Sequence, residues 1–235
     1  VFEDLEAMRE RIIAGISVQI VRKRIRSMNL TVRPPEGTVR LSVPTRTSNR
    51  VIDRFVQEHE SWIHVQQAKI RMKYPQHQYQ SGECMYHFGV PLRLLVQETG
   101  RRGSVQRTGD VLLLSAPKDS TPEQRKAWIE GWQRAQLHEQ AEYLLTKWAE
   151  IIGVEVREWH IKRMRTKWGT CNYAAHRVWL SLALAEKPLP CVEYVVVHEL
   201  CHLLEASHNE RFWAYVERYL PDWRERKQKL NESVQ

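Results

Sequence analysis

The five residues His198-Glu199-Leu200-Cys201-His202 form an HExxH motif, and they constrain the structure around them more than any other segment of the chain. In an α-helix, positions i and i+4 lie about 40° apart around the axis and one turn along it. The imidazoles of His198 and His202 therefore project from one helix face, where both can bind a single Zn²⁺. The motif predicts a helix with two ligands of a zinc site.

Glu199 follows the first of these ligands and can reach a water molecule on the metal without being a ligand itself. Zinc lowers the pKa of such a water, and the carboxylate can take its proton. We therefore expect a hydrolytic centre in which Glu199 is the catalytic residue. The alternative is a buried helix whose two histidines only satisfy hydrogen bonds.

The residues before the motif fit a buried helix. Pro190 suits its first turn, and Glu193 places negative charge near the positive end of the helix dipole. The valines at 195–197 would favour a strand if taken alone. A helix that is buried on most sides resolves this conflict, because tertiary packing outweighs intrinsic propensity.

A catalytic zinc usually has three protein ligands, and we expect His208 to be the third. Ser207 and Glu210 have the spacing of a capping box, which would open a new helix. The motif helix should then end near residue 205 or 206, and the turn can bring His208 back towards the metal. Glu217 is the main alternative, since zinc also accepts carboxylate ligands.

The spacing of the three histidines equals that of the metzincins, but Glu205 stands where those proteins use a glycine. No methionine follows Met164, so the downstream methionine turn of that class is missing as well. These two differences exclude a metzincin.

The whole chain predicts an α+β fold, with a β-rich N-terminal half of antiparallel strands and a helical, zincin-like C-terminal half with a small sheet. Residues 2–14 have a helix-like apolar pattern, and Pro34-Pro35-Glu36-Gly37 is typical of a hairpin connection. Ser48 and Thr121 are the expected caps of two long helices, over 48–73 and 122–151. Expected strands lie near residues 16–20, 30–32, 39–43, 91–97, 110–115, 154–161 and 177–183.

The segment from Pro117 to Pro122 is the expected boundary between the two halves. We therefore predict an N-terminal β-rich domain or subdomain with one long helix over residues 1–118. Residues 119–235 would form the metal-binding catalytic domain.

Composition suggests a cytoplasmic protein with no membrane partner. No stretch approaches the ~18 apolar residues that span a bilayer, and the first residues lack the apolar core of a secretory signal. The net charge of +8, with basic runs such as residues 21–26, could favour nucleic acid or acidic substrates. It could equally be a solvated surface that keeps the protein soluble.

Several segments together resemble the YgjP-like metallopeptidase family, whose members are described as predicted metal-dependent hydrolases of the zincin superfamily. A more distant similarity connects them to the SprT-like and WLM proteases, which act on proteins linked to DNA. The segments are residues 165–171, residues 194–202, His208 with Phe212-Trp213, and residues 219–223.

The resemblance implies that His198, His202 and His208 bind zinc and that Glu199 is the catalytic acid and base. The family usually has WGSC where this chain has Trp168-Gly169-Thr170-Cys171. We expect this loop to be structural, with glycine for a tight turn and tryptophan for packing. The alternative is that the loop lies at the edge of the substrate cleft.

Three functions remain open at this point. Hydrolysis of a peptide or protein is favoured, but some family members carry the name UTP pyrophosphatase, and a Lewis-acidic metal with nearby cations suits a nucleotide phosphoanhydride. Against that, the chain has no phosphate-binding glycine loop and no acidic cluster for Mg²⁺. The third is a zinc-stabilised DNA-binding module, which Glu199 argues against because a closed structural site needs no unligated carboxylate.

Overall fold

The structure is a computed structural model, and it describes residues 9–34, 36–73, 77–99, 102–164 and 166–232. Within these residues the protein is a mixed α+β fold with six α-helices and three small sheets. The chain divides into two compact units, Val1–Gln76 and His77–Gln235. None of the described helices has the length and apolar character needed to cross a membrane.

The first unit is a four-stranded sheet with two helices. Its strands are β1 (Arg9–Ile13), β2 (Ile16–Lys23), β3 (Asn29–Arg33) and β4 (Thr38–Pro44), in the order β1-β2-β4-β3. Apolar residues of β2 and β4 pack against α1 (Asn49–Glu58) and α2 (Glu60–Lys73) through Ile52, Val56 and Ile63. The predicted antiparallel pairing is correct for the two outer pairs. It is wrong for β2 and β4, which are parallel. Strand β3 does not lie between them in the sheet but pairs antiparallel with the other edge of β4.

Two further predictions for this unit were wrong. Residues 9–13 form a strand rather than a helix, because Ala14 and Gly15 have φ values of 49° and 76° and fold β1 onto β2 in a tight turn. Residues 2–8 of that prediction lie outside the described residues. The helix predicted over 48–73 is two helices, since His59 ends α1 and its Nδ1 donates to the carbonyl oxygen of Phe55 at 2.8 Å. The predicted cap is confirmed, because Ser48 Oγ accepts from the Val51 amide.

The second unit begins with another four-stranded sheet, formed by β5 (Cys84–His87), β6 (Val90–Glu98), β7 (Ser104–Thr108) and β8 (Val111–Ala116). The order β5-β6-β8-β7 and the strand directions repeat those of the first sheet. Helix α3 (Pro122–Ile152) starts with the predicted capping box between Thr121 and Gln124. Leu112 and Leu114 of β8 share a core with Ile129 of α3.

A three-stranded sheet and three helices complete the second unit. The strands β9 (Glu158–Lys162), β10 (Gly169–Asn172) and β11 (Arg177–Ser181) lie in the order β10-β11-β9. The helices are α4 (Leu189–Cys201), α5 (Glu210–Tyr219) and α6 (Trp223–Asn231). Helices α3 to α6 and strand β11 share the largest core, and β10 lies against α4.

Candidate metal centre

Helix α4 contains most of the HExxH motif and ends inside it. The valines at 195–197 are all buried, so packing has overridden their preference for a strand. The helix ends at Cys201, and His202 is its C-cap with φ −66° and ψ −16°. The next two amides bond three residues back, which closes a tight turn. The predicted helix end near residue 205 or 206 was therefore too late.

Asn209, rather than the predicted Ser207, caps helix α5. Asn209 Oδ1 accepts from the Phe212 amide at 3.0 Å. Ser207 instead donates from its Oγ to Glu205 Oε1 at 3.0 Å. Asn is as good a cap as Ser, and Glu205 already engages the serine hydroxyl. His208 is the residue before the cap, so the entry turn of α5 fixes its position.

This turn brings three imidazoles together. His198, His202 and His208 each offer a ring nitrogen, and these atoms lie within 4.8 Å of one another. His198 Nε2 and His208 Nε2 are 3.0 Å apart, and the ring centroids of His202 and His208 are 4.6 Å apart. We call these three residues the histidine cluster.

Neighbouring groups hold the rings of the histidine cluster. His202 Nδ1 lies 3.2 Å from the carbonyl oxygen of Glu205, which can only accept, so Nδ1 bears the proton and the Nε2 lone pair is left for a metal. The Phe212 ring lies 4.9, 4.5 and 4.7 Å from the three imidazoles. Trp213 stacks on His208 with an interplanar angle of 27°.

The charge state and the donor set of the cluster both fit zinc. Burial, with the charges of His202 and His208 acting in the same direction, lowers the pKa of His198 to about 3. Burial also lowers the pKa of His202. Neutral imidazoles are the form that binds metal, and three histidines with an open fourth position are a donor set of catalytic zinc sites.

Glu199 is a buried carboxyl group, with a side chain beside strand β10. Only 5% of its surface is exposed, and burial raises its pKa to about 8 against the opposing charge of Lys167. A Cβ atom added to Gly169 would lie 2.6 Å from Glu199 Oε1 and 2.8 Å from its Cγ. The Glu199 carboxyl group therefore fits in this position only because residue 169 has no side chain.

Two more ionisable groups, Cys171 and Tyr194, lie near the Glu199 carboxyl group. Burial raises the pKa values of Cys171 and Tyr194 to about 12 each, and the negative charge of Glu199 adds to both shifts. Both groups are therefore neutral at pH 7. The loop of residues 168–171 was expected to be structural, with Gly169 in a tight turn. Gly169 instead lies in β10 and is required for close approach to Glu199, which no local sequence signal indicated.

Glu217, the alternative third ligand, is engaged elsewhere. Its Oε2 accepts hydrogen bonds from Trp223 Nε1 at 2.6 Å and from Arg224 Nη1 at 2.5 Å. These contacts connect α5 to α6. Glu217 is not among the groups that lie together in the histidine cluster.

The fold and the cluster define a mixed α+β chain with a candidate three-histidine metal centre. The chain belongs to a family of metallopeptidases: the model of the YgjP-like metallopeptidase domain matches residues 27–233. Among solved structures, the chain is similar to the metallopeptidase zymogen abylysin of Pyrococcus abyssi at 22% identity. That match covers 38% of this chain and 90% of abylysin, with a TM-score of 0.36. A comparison with curated proteins found no match.

Proposed function

We propose that this chain is a zinc-dependent peptidase in which His198, His202 and His208 hold the metal and Glu199 transfers protons. One observation carries the proposal: three imidazoles converge beside a buried carboxyl group. No hydrogen bond from a described residue occupies that carboxyl, so it is available for proton transfer.

Each group has a defined part in the reaction. Zinc held by the three imidazoles would supply Lewis acidity to a water molecule and to the carbonyl of the scissile peptide. Without metal, a pKa of about 8 leaves Glu199 largely protonated at pH 7, and the positive charge of a bound Zn²⁺ would favour its carboxylate form. In that form Glu199 would accept a proton from the attacking water at a carboxylate oxygen and later give it to the leaving amine. Phe212 and Trp213 stack on the imidazoles of His202 and His208 and keep them in place.

A peptide is favoured over UTP as the substrate, because the family is one of metallopeptidases. An enzyme is favoured over a zinc-stabilised binding module, because a module has no use for a buried free carboxyl next to the ligands. Peptides and UTP can be assayed side by side on one zinc-loaded preparation, and turnover of UTP alone would replace the peptidase proposal.

Two variants test the site, with zinc measured by mass spectrometry and cleavage measured on a mixed fluorogenic peptide library. The wild type is expected to contain about one zinc per chain, and His208→Ala should lose both zinc and activity. Glu199→Gln should keep its zinc and lose activity by at least about 100-fold, since general base catalysis contributes ~10²–10⁴. A wild type that takes up no zinc on reconstitution, or an active Glu199→Gln variant, would contradict the proposal.

A further inference from the structure

Positive charge is concentrated in the first unit. Residues 1–76 contain fourteen Lys or Arg and eight Asp or Glu, which gives a formal net charge of +6. The whole chain has a net charge of +8, so the 159 residues of the second unit together have a net charge of only +2. A distribution of this kind indicates an electrostatic function of the first unit that the metal centre does not explain.

The fold gathers many of these cations at one end of the first sheet. Strands β2 and β4 are parallel and end side by side, with Lys23 opposite Pro44. The two loops that follow therefore leave the sheet at the same end. The exposed cations there are Lys23 at the end of β2, Arg24 and Arg26 after it, Arg46 after β4, and Arg50 and Arg54 on one face of α1. We call these six residues the basic edge.

Arg22 holds the two loops of the basic edge together. Its guanidinium donates to the carbonyl oxygens of Thr45 and Thr47 at 3.0 and 2.7 Å. It also donates to Asn49 Oδ1 at 3.2 Å. The end of β2 is thereby fixed to the loop that enters α1, so the exposed arginines are presented on an organised surface.

No ion pair neutralises the basic edge within the described part of the chain, although Glu58 lies one helical turn after Arg54 on α1. None of its six side chains forms an ion pair with a described residue. Asp53 is paired with Arg11, and Glu60 lies near His64 on α2. Glu36 is in the turn between β3 and β4, at the opposite end of the sheet. The first turn of α1 has no acid, so the positive end of that helix adds to the field.

We propose that the basic edge binds the phosphate backbone of nucleic acid. Five of its six cations are arginines, which bind phosphate oxygens in a bidentate manner. Ser27 and Thr45 in the same loops, and Asn29 at the start of β3, are further hydrogen-bond donors for phosphate. A membrane surface fits less well, because such sites combine cations with large apolar residues. Among the described residues of this unit, the exposed large apolar side chains are Ile12, Trp62, Val65 and Met72, which lie on β1 and α2, and Val51 on α1.

The test is fluorescence anisotropy of a labelled 20-base-pair duplex of mixed sequence with the zinc-loaded full chain, between 50 and 200 mM salt. We expect binding that weakens steeply with salt, with each phosphate contact adding about 0.9 to the slope of log K against log salt. The triple variant Arg24→Gln, Arg26→Gln, Arg46→Gln should bind at least about tenfold more weakly, with a slope smaller by about 3.

A matched control removes the same charge from the same unit. Arg33→Gln, Lys69→Gln, Arg71→Gln replaces three exposed cations outside the basic edge and should bind nearly as the wild type does. A triple Arg→Lys variant at positions 24, 26 and 46 should keep most of the affinity. Equal weakening by both glutamine triples would overturn the proposal, since affinity would then follow net charge alone. It would also be overturned if the wild type failed to bind duplex at 50 mM salt, or bound phosphatidylserine vesicles in its place.

Discussion

Gly169 lies where any side chain would collide with the carboxyl group that we assign to proton transfer. The added Cβ of a Gly169→Ala variant would approach Glu199 Oε1 at 2.6 Å, and Glu199 Cγ at 2.8 Å. Glu199 must then move, because its side-chain atoms are the nearest heavy atoms to the added Cβ. On the proposed function, we expect kcat to fall about 10- to 100-fold, because displacement by about 1 Å can cost 10² in rate. Zinc content should be unchanged.

Gly131 provides the control for that variant. It lies within α3, and a Cβ added there meets no atom within 4 Å. Gly131→Ala should therefore keep full activity and be stabilised by about 0.5–1 kcal/mol, since alanine favours a helix. Peptide turnover and zinc content, measured on both variants, separate the two cases. A Gly169→Ala enzyme with wild-type kcat would show that Glu199 tolerates displacement or has another role.

At the level of single residues, the sequence predicted that the three histidines lie close together. It predicted the packing of other residues around them less well. His198, Glu199 and His202 follow from helix periodicity, and a turn was enough to expect His208 nearby. The choice between His208 and Glu217 depends on tertiary contacts, because Glu217 is held by Trp223 of another helix. The position of Gly169 beside Glu199 depends on packing between β10 and α4, which no local pattern encodes.

Among the helices, α4 is joined to α3 and α6 through one carboxylate. Glu193 Oε1 accepts from Lys147 Nζ and Trp148 Nε1, both at 2.9 Å, and Glu193 Oε2 accepts from Arg226 Nη1 at 2.6 Å. Burial alone would raise the pKa of Glu193, but the hydrogen bonds from Arg226, Lys147 and Trp148 outweigh it and the pKa is lowered. The sequence predicted this residue only as a partner of the helix dipole.

Glu193→Gln should reduce the free energy of unfolding by about 1–3 kcal/mol at pH 7, since charge-assisted hydrogen bonds to three donors are lost. The folded-state pKa of Glu193 lies below its ordinary value of 4.5. The higher free energy of unfolding of the wild type, relative to Glu193→Gln, is therefore fully present above pH 4.5. This difference disappears as the pH falls through the lowered pKa of Glu193.

Urea titrations of wild type and variant, in chelator from pH 7 down to pH 3.5, measure this difference. Glu150→Gln, an exposed carboxyl of α3 without an ion pair to a described residue, should change stability by less than about 0.5 kcal/mol at every pH. A Glu193→Gln deficit that stays constant below pH 4 would show that lost packing, rather than lost charge, is responsible.

The helices and hairpins were predictable where their signals are local, and the strand order was not. The capping box at Thr121 and the cap at Ser48 each satisfy amides within a few residues, so the sequence identifies them directly. The central pairs β2–β4 and β6–β8 are parallel. In each pair another strand lies between the two partners along the chain, so no short-range sequence pattern specifies the pairing. The break at His59 went unpredicted because the apolar stripe continues on both sides of it.

At the scale of the whole molecule, the two units have separate cores. One core draws its buried residues only from positions 13–63, and the other two draw theirs only from positions 85–230. The histidine cluster and Glu199 belong entirely to the second unit, whereas the basic edge belongs to the first. The repeated strand order of the two four-stranded sheets shows that the same supersecondary arrangement serves a nearly neutral unit and a strongly basic one.

A fragment of residues 77–235 should therefore fold cooperatively, bind about one zinc per chain and cleave the same fluorogenic peptides as the full chain. It should also lose duplex binding, because it lacks every residue of the basic edge. Thermal unfolding, zinc content, peptide turnover and anisotropy on this fragment test the two assignments independently. Loss of zinc binding in a folded fragment would show that the first unit completes the metal centre. Retained duplex affinity would place the nucleic acid surface on the second unit, and a fragment that fails to fold would show that its two cores need the first unit for stability.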